Sequence, residues 1–378
     1  MRGFKEVLLS FTLALATLFT YHSVRQKLQT TERFHNVEEP IASSGESEDP
    51  QLSRNWGIDQ VHARAAGKRA LIGSKDVIVA VIDTGCDVHH PDLRNRIWHN
   101  PGEDGLDQEG APKSENGLDD DGNGFADDLY GWNFVDSSND VSDDHGHGTH
   151  ISGIVGSTAS ASSHVSLMIL KYYGSESGGL ENLRNTIAAV KYAVKMGATI
   201  INYSGGGVMR SAEEEDVLRW AASKGVLVIA AAGNEGLNSD FFHFYPADYD
   251  LPNILSVGAI DRSERILKMS NFGVSTVDVM APGRNIYSTL PGGLHGYMSG
   301  TSQATAFATG VAALLIAHDE RLREPAALIE HLIHHVSPRQ ALKDTTKSGG
   351  VLDAERALDA SELELAALVR RRTPAQAN

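Results

Sequence analysis

The 378-residue chain holds a single cysteine, Cys86. No disulfide can form within it, so cysteine usage says nothing about its compartment. Basic residues are scarce as well: 33 Lys and Arg stand against 49 Asp and Glu, a formal net charge of −16. That balance argues against a nucleic acid partner, which selects for a basic surface. It suits a soluble chain that holds cations, although acidity for solubility alone gives the same composition. Long apolar runs are nearly absent. The one candidate lies at the amino terminus, where Arg2 and Lys5 precede Val7 to Tyr21, an apolar stretch interrupted by Ser10, Thr12, Thr17 and Thr20. It is short for a spanning helix and has the form of a secretory signal. The small-x-small site Ala14-Leu15-Ala16 falls inside the run, so residues 1–21 read as a signal peptide or an uncleaved anchor. Secretion of the remainder to the periplasm or exterior is expected, with membrane attachment only in the uncleaved case.

What is present is ordinary globular sequence, 41% apolar and 22% charged. Residues 22–51 are polar and without sustained periodicity, as in a linker or short pro-segment. From residue 52 to 359 one domain is expected, followed by a tail, 360–378, with a helical Leu/Ala pattern. Asp76 to Ile82 is a continuous apolar, β-branched run, the signature of a strand buried on both faces. A further strand is expected over Leu167 to Leu170. Helical spacing then runs from Leu180 to Met196 and ends at Gly197. Strand Thr199 to Tyr203, helix Glu213 to Lys224 and strand Val226 to Ala230 follow. This rhythm predicts βαβ units in an α/β fold with an open, mostly parallel sheet and helices on both faces. In such sheets the working crevice lies beyond the carboxyl ends of the strands.

Four polar sites fall where that crevice should be. Asp83 closes the first buried strand, where it serves either as a functional carboxylate or as a cap for the next turn. His147 lies between Gly146 and Gly148 in Asp143-Asp144-His145-Gly146-His147-Gly148-Thr149-His150. It reads as a general base, as one of three zinc ligands with His145 and His150, or as a surface histidine. Asn234 follows Ala231-Ala232-Gly233, where its amide is either a donor to an oxyanion or a turn residue. Ser302 lies in Gly300-Thr301-Ser302-Gln303-Ala304-Thr305-Ala306, between the Gly-rich Pro291-Gly292-Gly293 and a small-residue helical run, Ala306 to Ala317. A serine entering a helix is a nucleophile candidate beside unpaired backbone donors, or a plain cap.

Taken together these motifs resemble the subtilisin-like serine proteases, the subtilases. The resemblance is carried by Val81-Ile82-Asp83-Thr84-Gly85, His147-Gly148-Thr149-His150, Ala232-Gly233-Asn234 and Gly300-Thr301-Ser302. The order Asp, His, Ser is the subtilisin order. Flanking stretches such as His90-Pro91-Asp92-Leu93 and Val279-Met280-Ala281-Pro282-Gly283 also match, so the resemblance covers about residues 52–359. It implies a serine endopeptidase with Asp83, His147 and Ser302 as catalytic residues and Asn234 at the oxyanion. It implies substrate-lining segments at Ser204-Gly205-Gly206 and Ala231-Ala232-Gly233, protein or peptide substrates, and a monomer. The small residues of those segments suggest an open primary pocket that admits large side chains. Two positions depart from the family pattern: Gln303 replaces a methionine and Ala306 a proline. Cys86 reads as a buried small residue rather than a functional thiol.

Calcium is the expected cofactor. In Asp119 to Asp128 oxygen donors alternate around a glycine turn. This matches the first half of a calcium loop: Asp119, Asp121 and Asn123 side chains, the Phe125 carbonyl, then Asp127 or Asp128. Tyr130 stands where an EF-hand has its bidentate Glu, so the loop is of another kind. The resemblance adds Asp92 as a ligand of a second calcium site, although residues 156–163 lack the Asn-rich loop that completes it in the family.

Overall fold

A computed structural model describes residues 56–69, 76–160 and 162–372, with side chains through residue 367. The amino-terminal segments expected at 1–21 and 22–51 lie outside the described residues. In chain order the elements are α1 (Trp56–Gln60), α2 (Ala63–Arg69), β1 (Val77–Asp83), β2 (Gly131–Asn133), α3 (His147–Thr158), β3 (Val165–Lys171) and α4 (Gly179–Lys195). Then come β4 (Ile200–Tyr203), α5 (Ala212–Ser223), β5 (Leu227–Ala231), β6 (Ile254–Ile260), β7 (Val279–Pro282), β8 (Ile286–Leu290) and β9 (Leu294–Met298). The chain closes with α6 (Thr301–His318), α7 (Pro325–His334), β10 (Ser337–Pro338), β11 (Gly350–Val351) and α8 (Ala354–Arg372).

One sheet organises them, in the order β10-β11-β7-β6-β5-β4-β1-β3-β2. Every neighbouring pair is parallel except β10 with β11. β1 lies inside the sheet, paired with β3 on one side (Val77 with Val165) and β4 on the other (Val79 with Ile200). Its side chains alternate between two cores, as a strand's twofold period requires. Val79 and Val81 join Ile151 and Ile154 of α3 and Val311 of α6 on one face. Ala80 and Ile82 join Val190 of α4 and Leu218 of α5 on the other. This is the α/β architecture expected from the sequence.

α6 is buried from Thr301 through Ala317. A helix apolar on every side belongs inside a protein, and α6 runs through the core rather than along its edge. It begins at Thr301, earlier than the apolar run at Ala306 suggested, so Ser302 falls within its first turn. The Gly-rich loop at 291–293 is the turn of the antiparallel hairpin β8–β9. α8 runs through the tail boundary expected at residue 360. Arg69 of α2 pairs with Asp359 and Glu362 on it. No helix among the described residues is long and apolar enough to cross a membrane.

Candidate functional site

Asp83 ends β1, Ser204 follows β4, and Ala231 ends β5, with Asn234 three residues on. Parallel neighbours bring these strand ends to one edge. His147 opens α3 and Ser302 lies in the first turn of α6. All three members of the expected Asp, His, Ser set are buried: Asp83 is 3% exposed, His147 7% and Ser302 8%.

The Asp83 and His147 side chains meet at 2.7 Å, Nδ1 to Oδ1. A carboxylate can only accept here, so Nδ1 carries the hydrogen and Nε2 is left with its lone pair. Burial works against a charged imidazole. The Asp83 charge and its hydrogen bond outweigh that effect and raise the His147 pKa above the ordinary histidine value. The same Asp83 oxygen accepts from the Thr84 N–H at 2.8 Å. A second carboxylate, Asp143, ties strand end to helix start. It accepts from the Thr84 hydroxyl at 2.8 Å, the Gly146 N–H at 2.8 Å and the Thr149 N–H at 2.8 Å. The Thr84 hydroxyl in turn accepts from the Gly148 N–H at 2.9 Å. Asp143 was not among the residues singled out from sequence. Its signal was its place four residues before His147 in an unusually polar run.

Ser302 Oγ donates to the Ser204 carbonyl at 2.9 Å. Its backbone N–H lies in the first helical turn, where no carbonyl four residues back is available within the helix. Asn234 Oδ1 accepts from the Thr301 N–H at 2.9 Å and the Thr301 hydroxyl at 3.1 Å. Because an N–H can only donate, this fixes which end of the amide is oxygen. The Asn234 Nδ2 is thereby the donor end of the amide. Gln303 is buried just behind, its Oε1 3.2 Å from where a Cβ on Gly300 would stand. Ala306 sits inside an unbroken helix, as the best helix former should.

Segments 204–206 and 231–233 are buried and face the crevice edge. Between them is a residue that sequence reasoning missed. A Cβ on Gly206 would lie 2.6 Å from Phe244 Cε1, and a Cβ on Gly233 would lie 2.8 Å from Phe244 Cγ. One aromatic ring therefore packs against both segments, which departs from the open pocket expected of small residues. Glu235 is held by Asn271, whose Nδ2 donates to its Oε2 at 2.8 Å and to the Ala232 carbonyl at 2.8 Å.

Among the described residues, the three histidines considered as zinc ligands do not converge into a group that could hold a metal ion. His147 Nδ1 is engaged by Asp83. His150 Nε2 donates to the Ile286 carbonyl at 2.9 Å, and burial lowers its pKa to about 3. His145 packs edge-on against Tyr173. Nothing in the structure supports the zinc alternative. Cys86 is buried beside Thr149 and Ser152, and burial pushes its thiol pKa up, so it stays protonated. It behaves as the small apolar residue expected.

The acidic loop is brought together only in part. Carboxylate oxygens of Asp119, Asp121 and Glu103 lie within 4.8 Å of one another. Glu103 was not foreseen. It is fully buried; its Oε1 accepts from the Asp120 N–H at 2.8 Å, and its Oε2 has no partner. Asn123 caps the turn, its N–H reaching Asp119 at 3.0 Å and Asp121 at 2.9 Å. Phe125 turns its ring into an aromatic cluster with Trp132 and Tyr192. Asp127 accepts from the Gly117 N–H at 2.9 Å. Asp128 is buried and accepts from Tyr192, from Asn100 at 2.6 Å and from Asn123 at 2.9 Å. Both carboxylates thus serve the loop's own framework rather than the Asp119 group. Asp92 is exposed and pairs with His295 at 2.8 Å, apart from that group.

The model of the subtilase family matches residues 74–357. The chain is 33% identical to a thermophilic serine proteinase of Bacillus sp. (strain AK1) over 70% of its own length and 58% of that protein's. It is 31% identical to the major intracellular serine protease of Bacillus subtilis (strain 168), over 78% of this chain and 86% of that one. Among solved structures it superposes on a lanthipeptide protease with a TM-score of 0.64 and 25% identity, covering 81% of this chain and 94% of the other. Its span of the first relative is thus under two thirds, while its span of the other two is most of their length.

Proposed function

Starting from the premise that the chain belongs to the subtilase family, we propose that it is an exported serine endopeptidase acting through an acyl-enzyme on Ser302. The observation that carries this reading is the buried His147–Asp83 hydrogen bond, with Ser302 buried in the first turn of α6 and its hydroxyl on the Ser204 carbonyl just past the end of the neighbouring strand β4. Because Nδ1 carries the hydrogen, Nε2 keeps the lone pair that a general base needs. In the resting arrangement the Ser302 hydroxyl is parked on the Ser204 carbonyl. Rotation about its Cα–Cβ bond releases it to Nε2, a tightening that substrate binding commonly completes. Ser302 Oγ then attacks the scissile carbonyl while His147 takes its proton, and Asp83 stabilises the imidazolium. The Asn234 Nδ2 and the Ser302 N–H receive the oxyanion. His147 returns the proton to the leaving amine, and water repeats the cycle on the ester.

Calcium is the structural cofactor in this reading. Glu103, Asp119 and Asp121 would hold it, since three converging carboxylates, one with a buried orphan oxygen, suit a hard cation. The ion would stabilise the loop and take no part in the chemistry. The deciding experiment is labelling of the purified chain with a fluorophosphonate, with Ser302→Ala as control. Stoichiometric labelling of Ser302 and loss of peptide hydrolysis support the reading. Hydrolysis that persists in the labelled protein overturns it. Recovery of the chain from culture supernatant or periplasm tests export, and retention in the cytoplasm rejects it.

A further inference from the structure

The two glycine-bearing segments that should clear space for a substrate side chain are occupied from within. The ring of Phe244 lies so close to both that a methyl on Gly206 or Gly233 would overlap it. It is 5% exposed, whereas Phe241 and Phe242, on the same short stretch, are 76% and 44% exposed. Of three phenylalanines in four residues, only this one turns inward.

Its backbone is fixed on both sides. The Phe244 N–H donates to Asp248 Oδ2 at 2.8 Å, and its carbonyl accepts from the Asp248 N–H at 3.0 Å. Tyr245 exchanges both backbone hydrogen bonds with Gly207, at 2.7 and 2.8 Å, which fastens the Phe244 segment to the end of the 204–206 wall. The glycines of the walls therefore make room for this ring together with the Tyr245 carbonyl at Gly206 and the Asn271 and Glu235 side chains at Gly233, which crowds the space between the walls.

We propose that Phe244 is the specificity-determining residue of this peptidase. It fills the primary pocket, so that the enzyme accepts only small side chains (Gly, Ala, Ser) on the acyl side of the scissile bond. The inference rests on the serine peptidase reading above and on segments 204–206 and 231–233 being the pocket walls. An aromatic or long aliphatic acyl-side residue would have to displace a ring held by a pinned backbone. Alanine places one methyl group at the mouth and meets no such demand.

The test is a series of peptide p-nitroanilides identical except for Ala, Leu or Phe at the acyl-side position. The wild-type chain is expected to cleave the Ala substrate with kcat/KM at least about tenfold above the Phe substrate, the scale on which pocket fit discriminates. Phe244→Ala is expected to raise the Phe-to-Ala ratio by about tenfold or more, and Phe244→Leu by less. A wild type that cleaves Phe as well as Ala overturns the proposal. So does a folded Phe244→Ala, checked by circular dichroism, whose ratio is unmoved. If Phe244→Ala does not fold, Phe244→Leu carries the same comparison, and the wild-type ratio stands alone. Fluorophosphonate labelling separates the two layers. A chain labelled at Ser302 that prefers Phe rejects the filled pocket only. A chain neither labelled nor active on any of the three rejects the peptidase reading, and the filled pocket with it.

Discussion

In the crevice, the buried Asp83 carboxylate is met by a histidine ring and a backbone N–H, and Asp143 beside it accepts from several further donors. In the acidic loop, the buried Glu103 has one oxygen with no donor and faces two more carboxylates. Both regions bury negative charge, which is costly unless compensated. The crevice compensates with its own hydrogen bonds, so its geometry is complete without a partner. The loop does not: burial raises the Glu103 pKa, and the proposed cation is one way to relieve its charge. The first region satisfies its buried carboxylates with its own donors; the second leaves one buried carboxylate oxygen without a donor.

This contrast can be broken most sharply at Asp83. Asp83→Asn keeps the shape but removes the charge and the correct tautomer, and kcat should fall about 10⁴-fold. The pH profile supplies a second readout. His147 must be neutral to act as base, so the wild-type acid limb of kcat/KM should lie above the ordinary histidine pKa, because Asp83 raises it. In Asp83→Asn the two Asp83 contributions are gone, burial is opposed only by the weaker pull of the Asp143 charge, and residual activity should persist to lower pH. An acid limb that stays in place would show that Asp83 does not set the His147 titration.

A smaller effect is expected at Asn234. Asn234→Ala removes one oxyanion donor, and kcat should fall about 10²–10³-fold with KM little changed. A drop confined to KM would place the amide in ground-state binding instead. The loss of the Thr301 contact gives a separate signature, a lowered melting temperature.

The smallest effect sharpens the other side of the contrast. Excess chelator should lower the melting temperature. The stabilisation lost would be about 2.7 kcal/mol for a site held at a hundred times its Kd. Glu103→Gln should shrink that shift, and in chelator should melt no lower than wild type, because it removes an uncompensated buried carboxylate. A wild-type transition indifferent to chelator would remove the cation from the loop.

The sequence made the frame readable where physics is local. The run before Asp83 reads as a doubly buried strand because Val and Ile fill nearly all of it, and the 3.6-residue spacing from Leu180 onward yields α4 almost to the residue. Strand β6, fully buried from Ile254 to Ile260, passed unnoticed because a short apolar run carries no period of its own. The hairpin β8–β9 read as a Gly-rich loop because Gly292 and Gly293 dominate its turn. The site residues named from motifs sit at element ends, where sequence signals are strongest. Glu103, Asp143 and Phe244 were missed for one reason: each acquires its role from a partner distant in sequence or from one loop folding over another. Phe244 is instructive, since nothing in Phe241-Phe242-His243-Phe244 tells which ring turns inward.

The placement of β1 has a consequence in time. This inner strand pairs with β3 and β4, both encoded well downstream, and Ser302 follows later still. At about 5–20 residues per second of synthesis, Ser302 emerges about 10–40 s after Asp83. A chain that ends before α6 lacks both the helix that runs through the core and Ser302, the nucleophile of the proposed mechanism, so it has nothing of that kind to turn on its neighbours.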